Sequence, residues 1–157
     1  METQLKKFYL TVFSFFLISA LAVSQPSNKL EPIDVFDIEY VSNPEISPQG
    51  DKILFLRNFK DIMTDKNLSN LWVVNFDGSD MRPITTGNHN ASSPKWSNSG
   101  KMFTYKSNEE GKSQLYLYNL ENNSTQKLTN FQSSIGNVEW SPDDKYLLFN
   151  SFVESAD

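Results

Sequence analysis

The chain has 157 residues, no cysteine, one histidine and a formal net charge of −5. Without cysteine, these residues cannot supply thiolate catalysis, disulfides or cysteine-based zinc sites, and the acidic balance offers no basic surface for nucleic acid. Aromatic residues make up 13% of the sequence, which favours a β-rich core over a disordered tail.

Residues 1–24 have the pattern of a cleavable signal peptide. Lys6 and Lys7 form a positive region, an almost wholly apolar run follows, and small-x-small cleavage sites end at Ala22 and Ser24. The alternative is an uncleaved anchor, although the apolar run is short for a span of about 20 residues. We therefore expect an exported protein, periplasmic or extracellular, with no membrane association after cleavage.

Residues 25–42 predict a linker followed by a short helical lead-in. Pro26-Ser27-Asn28 reads as the linker, and Asp34 is placed to cap a helix that runs through Tyr40. We expect this segment to cover the first unit of the array that follows, or to contact another domain.

From residue 43 onward the sequence repeats. A hydrophobic residue, a serine, a tight turn and an apolar strand recur in three segments: Pro44–Phe55, Pro94–Tyr105 and Val138–Phe149. Ser97 and Ser141 lie 44 residues apart, whereas Ser47 and Ser97 lie 50 apart because six extra residues fall within Phe59–Ser69. Proline presets the turn, and glycine, asparagine or aspartate tolerate the positive φ that it needs.

A second unit repeats between these segments with the same 44-residue offset. Leu71–Gly78 aligns with Leu115–Asn122, and each is followed by a short strand ending in threonine, at Arg82–Thr85 and Gln126–Thr129. A period of 40 to 50 residues with four short strands is typical of a β-propeller blade. Within one blade we place strand a at Lys95–Ser97 and strand c at Gln114–Asn119, and Lys145–Ser151 is the strand b of the third repeat.

The fold class is therefore all-β: a partial β-propeller in residues 43–157. Two full four-stranded blades are predicted at about 43–87 and 93–130, and part of a third at 138–157. Known propellers close with four or more blades, so this array cannot close a ring. We expect an open face that exposes Leu147 and Phe149, and a natural protein that continues beyond Asp157 with further blades.

No catalytic, cofactor-binding or metal-binding residue is predicted in these residues. His89 is alone in a polar turn-like run, so neither a histidine-pair metal site nor a triad is indicated. Gly111-Lys112-Ser113 resembles part of a phosphate loop, but Lys106 stands where that motif needs glycine. The same segment fails as a nucleophile elbow because Leu115 replaces the final glycine.

The remaining polar motifs and the tryptophans also have structural interpretations. We interpret Glu109-Glu110 as a hairpin tip, Asp143-Asp144 as turn residues, and Asp77-Gly78-Ser79-Asp80 as a turn that lacks the spacing of a calcium loop. The tryptophans, for which a stacking platform is the alternative, are assigned to core packing: Trp72, Trp96 and Trp140. Four acceptor patterns for N-glycosylation arise by chance in an asparagine-rich sequence: Asn67, Asn90, Asn122 and Asn123.

The repeated unit, a Trp-Ser-Pro-Asp-Gly-Lys-like turn followed by a strand, a turn and Lys-Leu-Thr, resembles the propeller repeat of two known groups. One is the prolyl oligopeptidase family of serine peptidases, especially its acylaminoacyl- and dipeptidyl-peptidase branches, and the other is TolB and its relatives. The opening Asp34–Ile53 resembles the start of the first blade in acylaminoacyl-peptidase-like enzymes. TolB-type proteins usually carry an α/β domain before the propeller, which the short lead-in here does not provide.

The peptidase resemblance implies a non-catalytic propeller that sits over a carboxy-terminal α/β-hydrolase domain and admits short peptides. The partners would then be the missing blades, that hydrolase domain and a peptide substrate, with no cofactor. No catalytic residue is carried over to this sequence, because the triad of that family lies outside the part resembled. Two alternatives stay open: a TolB-like periplasmic propeller that binds protein or glycan, and an inactive repeat protein from a truncated reading frame.

Overall fold

The computed structural model describes residues 29–152, so the predicted signal peptide lies outside the described residues. This part of the chain forms one short 3₁₀ helix, Pro32–Phe36, and ten strands. The strands, in chain order, are β1 Tyr40–Ile46, β2 Lys52–Asp61, β3 Lys66–Asn75, β4 Arg82–Pro83, β5 Ala91–Trp96, β6 Met102–Ser107, β7 Gln114–Asn119, β8 Ser124–Lys127, β9 Ile135–Trp140 and β10 Leu147–Ser151.

The strands form three antiparallel sheets, as the repeat predicts. β1 to β4 make one four-stranded sheet in sequential order, and β5 to β8 make a second; we call these blade 1 and blade 2. β9 and β10 pair as a two-stranded third unit. The all-β partial propeller is therefore confirmed, and its array is open, not a closed ring.

The turn between the first two strands of each unit has the same geometry three times. In each, the amide of the glycine or aspartate donates to the carbonyl of the repeated serine, at 2.8, 3.0 and 3.0 Å for Gly50, Gly100 and Asp144. All three residues have positive φ, with values of 74°, 66° and 58°. Glycine meets this requirement without strain, and aspartate is among the residues that tolerate it. The third repeat therefore keeps the turn without a glycine.

In blade 1 and blade 2, a buried threonine that follows the fourth strand forms a hydrogen bond with the third strand, strand c. The Oγ1 of Thr85 accepts a hydrogen bond from the Leu71 amide, and that of Thr129 accepts one from the Leu115 amide, both at 2.9 Å. Just past β4 and β8 the chain is too irregular to continue the ladder, so the threonine side chain replaces a backbone partner. This contact explains why the repeat ends in threonine.

The main core lies between blade 1 and blade 2. Leu54, Leu56, Leu71 and Val73 of blade 1 pack against a layer from blade 2 that consists of Ala91, Trp96, Phe103, Tyr105, Tyr116 and Tyr118. The aromatic rings of blade 2 stack on one another, with centroids 4.9 Å apart for Phe103 and Tyr118 and 5.5 Å apart for Tyr105 and Tyr116. A second, smaller cluster joins blade 2 to the third unit through Leu115, Ile135 and Val138.

Several local predictions are wrong. The helix expected from Asp34 through Tyr40 is the 3₁₀ turn Pro32–Phe36, and Tyr40 already begins β1. Strand a is longer than predicted and ends before the serine; in blade 2 it is Ala91–Trp96. Strand b of the third unit begins at Leu147, two residues after Lys145, because the serine turn extends to Tyr146.

The open face of the third unit also differs from the expectation. Leu147 and Phe149 pack inward against the cluster that joins this unit to blade 2. The large exposed side chains are Tyr146, Leu148 and Phe152, with Leu148 74% exposed. Successive side chains along a strand point to opposite faces, so the sequence-based prediction assigned the exposed face to the wrong alternate residues of this strand.

Candidate functional site

In the part of the chain that the structure describes, the polar motifs considered as possible chemistry make structural contacts. Within residues 29–152 no group of three or more histidine, aspartate or glutamate side chains is placed to hold a metal ion. The repeated serines serve their own turns: Ser47 Oγ, for example, donates to Asp51 Oδ1 at 2.7 Å and accepts from the Lys52 amide at 3.0 Å.

The paired acids are held by structural contacts. Glu110, in the β6–β7 turn next to Glu109, forms an ion pair at 2.5 Å with Lys127 at the end of β8. Asp143 accepts a hydrogen bond from the Ser141 hydroxyl at 2.7 Å. The Ser141 contact lowers the pKa of Asp143, so the carboxylate is the form that the turn uses.

Asp144 joins the third unit to blade 2. Its carboxylate accepts the backbone amides of Asn98 and Ser99, both at 2.7 Å. Partial burial raises the pKa of Asp144, but these hydrogen bonds outweigh it and leave the pKa below its ordinary value. The corresponding link between blades 1 and 2 is Gln49 Nε2 donating to the Ser99 carbonyl at 2.8 Å. A polar belt of turn contacts therefore connects the three units.

Two tryptophans join neighbouring units. Trp96 Nε1 donates to the Glu45 carbonyl at 3.0 Å, and Trp140 Nε1 donates to the Lys95 carbonyl at 3.3 Å. Lys95 and Glu139 each directly precede one of these tryptophans and occupy equivalent positions in the repeat. Their side chains form an ion pair at 2.6 Å. For Trp96, which is buried, the core-packing interpretation holds; the indole N–H adds a directional bond between blades.

Trp72 has a different environment: it is half-buried on the face of blade 1 that is turned away from blade 2, where it stacks with Phe55. The guanidinium of Arg57 lies 5.2 Å from the centre of its ring. Arg57 in turn makes two hydrogen bonds of 2.7 Å to the carboxylate of Glu39. The Trp72 indole N–H is buried and has no hydrogen-bond partner among the described residues.

We call this surface the open face of blade 1; it is the main candidate interaction surface of the described residues. It consists of Ile53, Phe55, Arg57, Trp72 and Val74, which alternate on one side of β2 and β3. Two cavities of about 480 and 230 Å³ lie on it, and both are lined by Arg57, Glu39 and Trp72. The surface offers aromatic and aliphatic area with one ion pair, which suits packing against another sheet and provides no nucleophile.

Sequence reasoning did not single out this face, although the repeat contained the signal. With the offsets of 50 and 44 residues, Phe55 and Trp72 are equivalent to Tyr105 and Tyr116, which blade 1 buries on blade 2. The equivalent positions in blade 1 are apolar or aromatic as well, so the repeat indicates a packing face there too.

The other sequence candidates are separate from this face. His89 is a half-buried loop residue beside Gly87, and Gly111 occupies a positive-φ position in the β6–β7 turn. Of the glycosylation patterns, Asn67 is exposed on β3, whereas Asn90 accepts the Ser69 amide at 2.9 Å. No helix among residues 29–152 is long and apolar enough to cross a membrane.

Comparison with known proteins agrees with the blade architecture. A sequence profile of the TolB β-propeller domain family matches residues 38–156. Among curated proteins, dipeptidyl-peptidase 5 of Porphyromonas gingivalis is 30% identical over 125 residues, and the uncharacterized peptidase YuxL of Bacillus subtilis is 28% identical over 116 residues. These matches cover 80% and 73% of this chain, which spans only 18% of the length of each relative.

Among solved structures, an acylaminoacyl peptidase from Pyrococcus horikoshii superposes with a TM-score of 0.65 at 18% identity. The match covers 77% of this chain and 18% of that protein. At this identity the likeness shows the fold alone, and that fold agrees with the blades described above.

Proposed function

The chain belongs to the TolB β-propeller domain family, and from that premise we propose that it is the amino-terminal, non-catalytic propeller portion of an exported serine peptidase that hydrolyses oligopeptides. The observation that carries the proposal is the similarity to two peptidases over 73% and 80% of the chain, each of which is much longer than the chain. The chain's own residues contribute blades and no reacting group.

The open array supports the same proposal. Blade 2 is covered by blade 1 on one face, whereas the equivalent face of blade 1 has no second blade against it in the described residues and its Ile53, Trp72 and Val74 are only half-buried. Large uncovered apolar surfaces of soluble proteins usually mark interaction sites. In the proposed protein, further blades of the same polypeptide cover these faces, and the active-site serine belongs to an α/β-hydrolase domain outside residues 1–157.

The proposed enzyme acts through an acyl-enzyme, and the propeller restricts access to short peptides. The test is to express the complete natural gene product and to treat it with a fluorophosphonate probe, which labels activated serines. We expect a labelled serine outside residues 1–157 and hydrolysis of peptide nitroanilides. The 157-residue chain alone should give neither, and turnover by that chain above the buffer rate would contradict the assignment of the reaction to another domain.

Export is part of the proposal. Lys6, Lys7 and the apolar run behind them support a signal peptide. Amino-terminal sequencing of the protein recovered from the producing cell tests this point directly. We expect the mature chain to begin at Val23 or Gln25, whereas a chain that retains Met1 in a soluble fraction would contradict it.

A second candidate is a TolB-like propeller that binds protein or glycan without catalysis. The family match is compatible with this candidate, because the matching profile describes the TolB propeller domain, whereas the curated peptidase relatives favour the first. The same probe distinguishes them: a complete gene product that forms a closed ring, takes up no fluorophosphonate and hydrolyses no peptide would favour the binding module.

A further inference from the structure

The topology of the blades places every beginning and every end of a blade at one rim. A blade of four sequential antiparallel strands must end on the side where it began. β1 and β5 begin, and β4 and β8 end, at the rim that also holds the β2–β3 and β6–β7 turns. We call this the lower rim; the serine turns lie at the upper rim. Any domain that precedes or follows whole blades therefore joins the propeller at the lower rim.

Blade 1 carries a projection at this rim that blade 2 lacks. The first residue of β1, Tyr40, pairs with Asn58, but β2 continues to Asp61 and pairs with β3 throughout. In blade 2 the first residue of strand a already pairs with the last residue of strand b, Ser107. The β2–β3 hairpin thus extends three residues further, which is about 10 Å at the rise of a strand.

The tip of this hairpin exposes two apolar side chains and is held by hydrogen bonds of its own. Ile62 and Met63 are 57% and 87% exposed. Asp61 accepts the Met63 amide at 3.1 Å and the Thr64 hydroxyl at 2.5 Å, and Lys60 forms an ion pair with Asp65 at 2.8 Å. A preorganised tip loses little conformational entropy when a partner covers it.

Further apolar surface lies beside the hairpin. The lead-in exposes Ile33, Val35 and Ile38, and the Lys60 ammonium lies 5.5 Å from the centre of the Phe36 ring. A cavity of about 370 Å³ separates Val35 and Ile38 from the base of the hairpin. The tip and the lead-in therefore both expose apolar side chains, on either side of a recess, at the rim where a flanking domain would attach.

We propose that the hairpin tip, Ile62 and Met63, is a docking peg that inserts into a folded domain of the same polypeptide which flanks the propeller. The proposal rests on the proposed function only in requiring that such a domain exists; it does not require that the domain is a peptidase. The occupant is a flanking domain because the chain leaves whole blades at this rim, which gives the domain a high effective concentration there.

The test measures accessibility in the complete natural protein. Met63→Cys reports accessibility at the lower rim. Lys101→Cys is the control at an exposed position of the upper rim. Its ion pair with Glu121 lies at the surface and contributes little to the free energy of unfolding. Each variant is labelled with a maleimide under native conditions, and its rate is divided by the rate of the same variant in urea. We expect the native rate of Met63→Cys to fall at least about tenfold below that of Lys101→Cys, a difference of about 1.4 kcal/mol in accessibility.

The outcomes separate the two proposals. Protection of Met63→Cys in a protein that takes up no fluorophosphonate supports the docking peg and contradicts the assignment as a serine peptidase. Equal labelling of both variants in a protein that is an active peptidase overturns the docking peg, while the proposed peptidase function stays supported. Protection that disappears on dilution overturns the flanking domain in favour of a second copy of the chain. As an independent readout, Met63→Glu should lower the melting temperature of the complete protein, whereas Lys101→Glu should leave it within about 1 °C; equal melting temperatures would contradict the peg.

Discussion

Blade 2 and blade 1 have faces built from equivalent repeat positions, yet the two faces have different environments. In blade 2 the face is a stacked aromatic layer that is buried by blade 1, and Phe103 within it is fully buried. In blade 1 the equivalent face has no second blade against it in the described residues; Ile53, Trp72 and Val74 are half-buried there, and Phe55 is buried against Trp72. The difference teaches that most burial on this face comes from the neighbouring blade, as in other repeat arrays, whereas Phe55 is buried without such a neighbour.

The largest expected effect compares equivalent core positions. Phe103→Ala should reduce the free energy of unfolding of the 157-residue chain by about 3–5 kcal/mol, because it leaves a cavity between two blades. Ile53→Ala, at the equivalent position of the open face, should cost about 1–2 kcal/mol because the side chain is only half-buried. Urea unfolding followed by circular dichroism measures both changes. Equal losses of unfolding free energy would contradict the difference between the two faces.

The next effect tests contacts that each blade makes within itself. Thr129→Val leaves the buried Leu115 amide without an acceptor and should cost about 1–3 kcal/mol. Thr85→Val does the same to the Leu71 amide in blade 1. Because these contacts do not involve a neighbour, we expect both losses to fall in that range. A loss confined to blade 2 in the same unfolding experiment would show that blade 1 is not folded independently of its cover.

A smaller effect isolates the hydrogen bond between blades. Trp96→Phe keeps an aromatic ring but removes the indole donor to Glu45, so we expect a loss of about 0.5–1.5 kcal/mol from that bond and a similar amount from reduced packing. In blade 1 the equivalent residue is Ile46, which is 59% exposed and has no such donor. Ile46→Val is the matched control and should change unfolding by less than about 0.5 kcal/mol.

The last effect is absent near neutral pH and appears only in alkali. Burial raises the pKa of the Tyr105 phenol from 10.0 to about 12. The unfolded chain releases this proton near pH 10 and the folded chain retains it, so stability should fall as the pH rises from 10 towards 12. Tyr105→Phe should show a shallower fall in unfolding experiments between these pH values. Identical slopes would mean that the phenol is not buried.

The parts of the fold that follow from short-range chemistry were predicted from the sequence. Strand β7 matches the predicted Gln114–Asn119 at both ends because polar turns enclose its run of aliphatic and aromatic residues. The serine turns were predicted as well, with Asp144 replacing glycine where φ is positive. Each of these features depends on a few neighbouring residues, which is the range over which a sequence pattern is informative.

The features that depend on distant partners were missed. Strands β1 and β5 continue upstream through Asn43 and Ser93, whose φ values of 50° and 49° accompany irregular pairing just before a proline. Residues that precede proline normally favour extended backbone, so the residue pattern does not indicate the positive φ at these two positions. The open face of blade 1 was likewise missed because its character appears only when the two blades are compared residue by residue.

Hydrogen exchange of the 157-residue chain, read by mass spectrometry, tests most directly whether each blade depends on its neighbours. β6 and β7 lie between two units, β2 and β3 have a cover on one face only, and β9 and β10 lack two strands of a blade. We predict amide protection in that order, with the largest opening free energy in β6 and β7 and the smallest in β9 and β10. Uniform protection across the three units, or protection that is greatest in β9 and β10, would contradict the account.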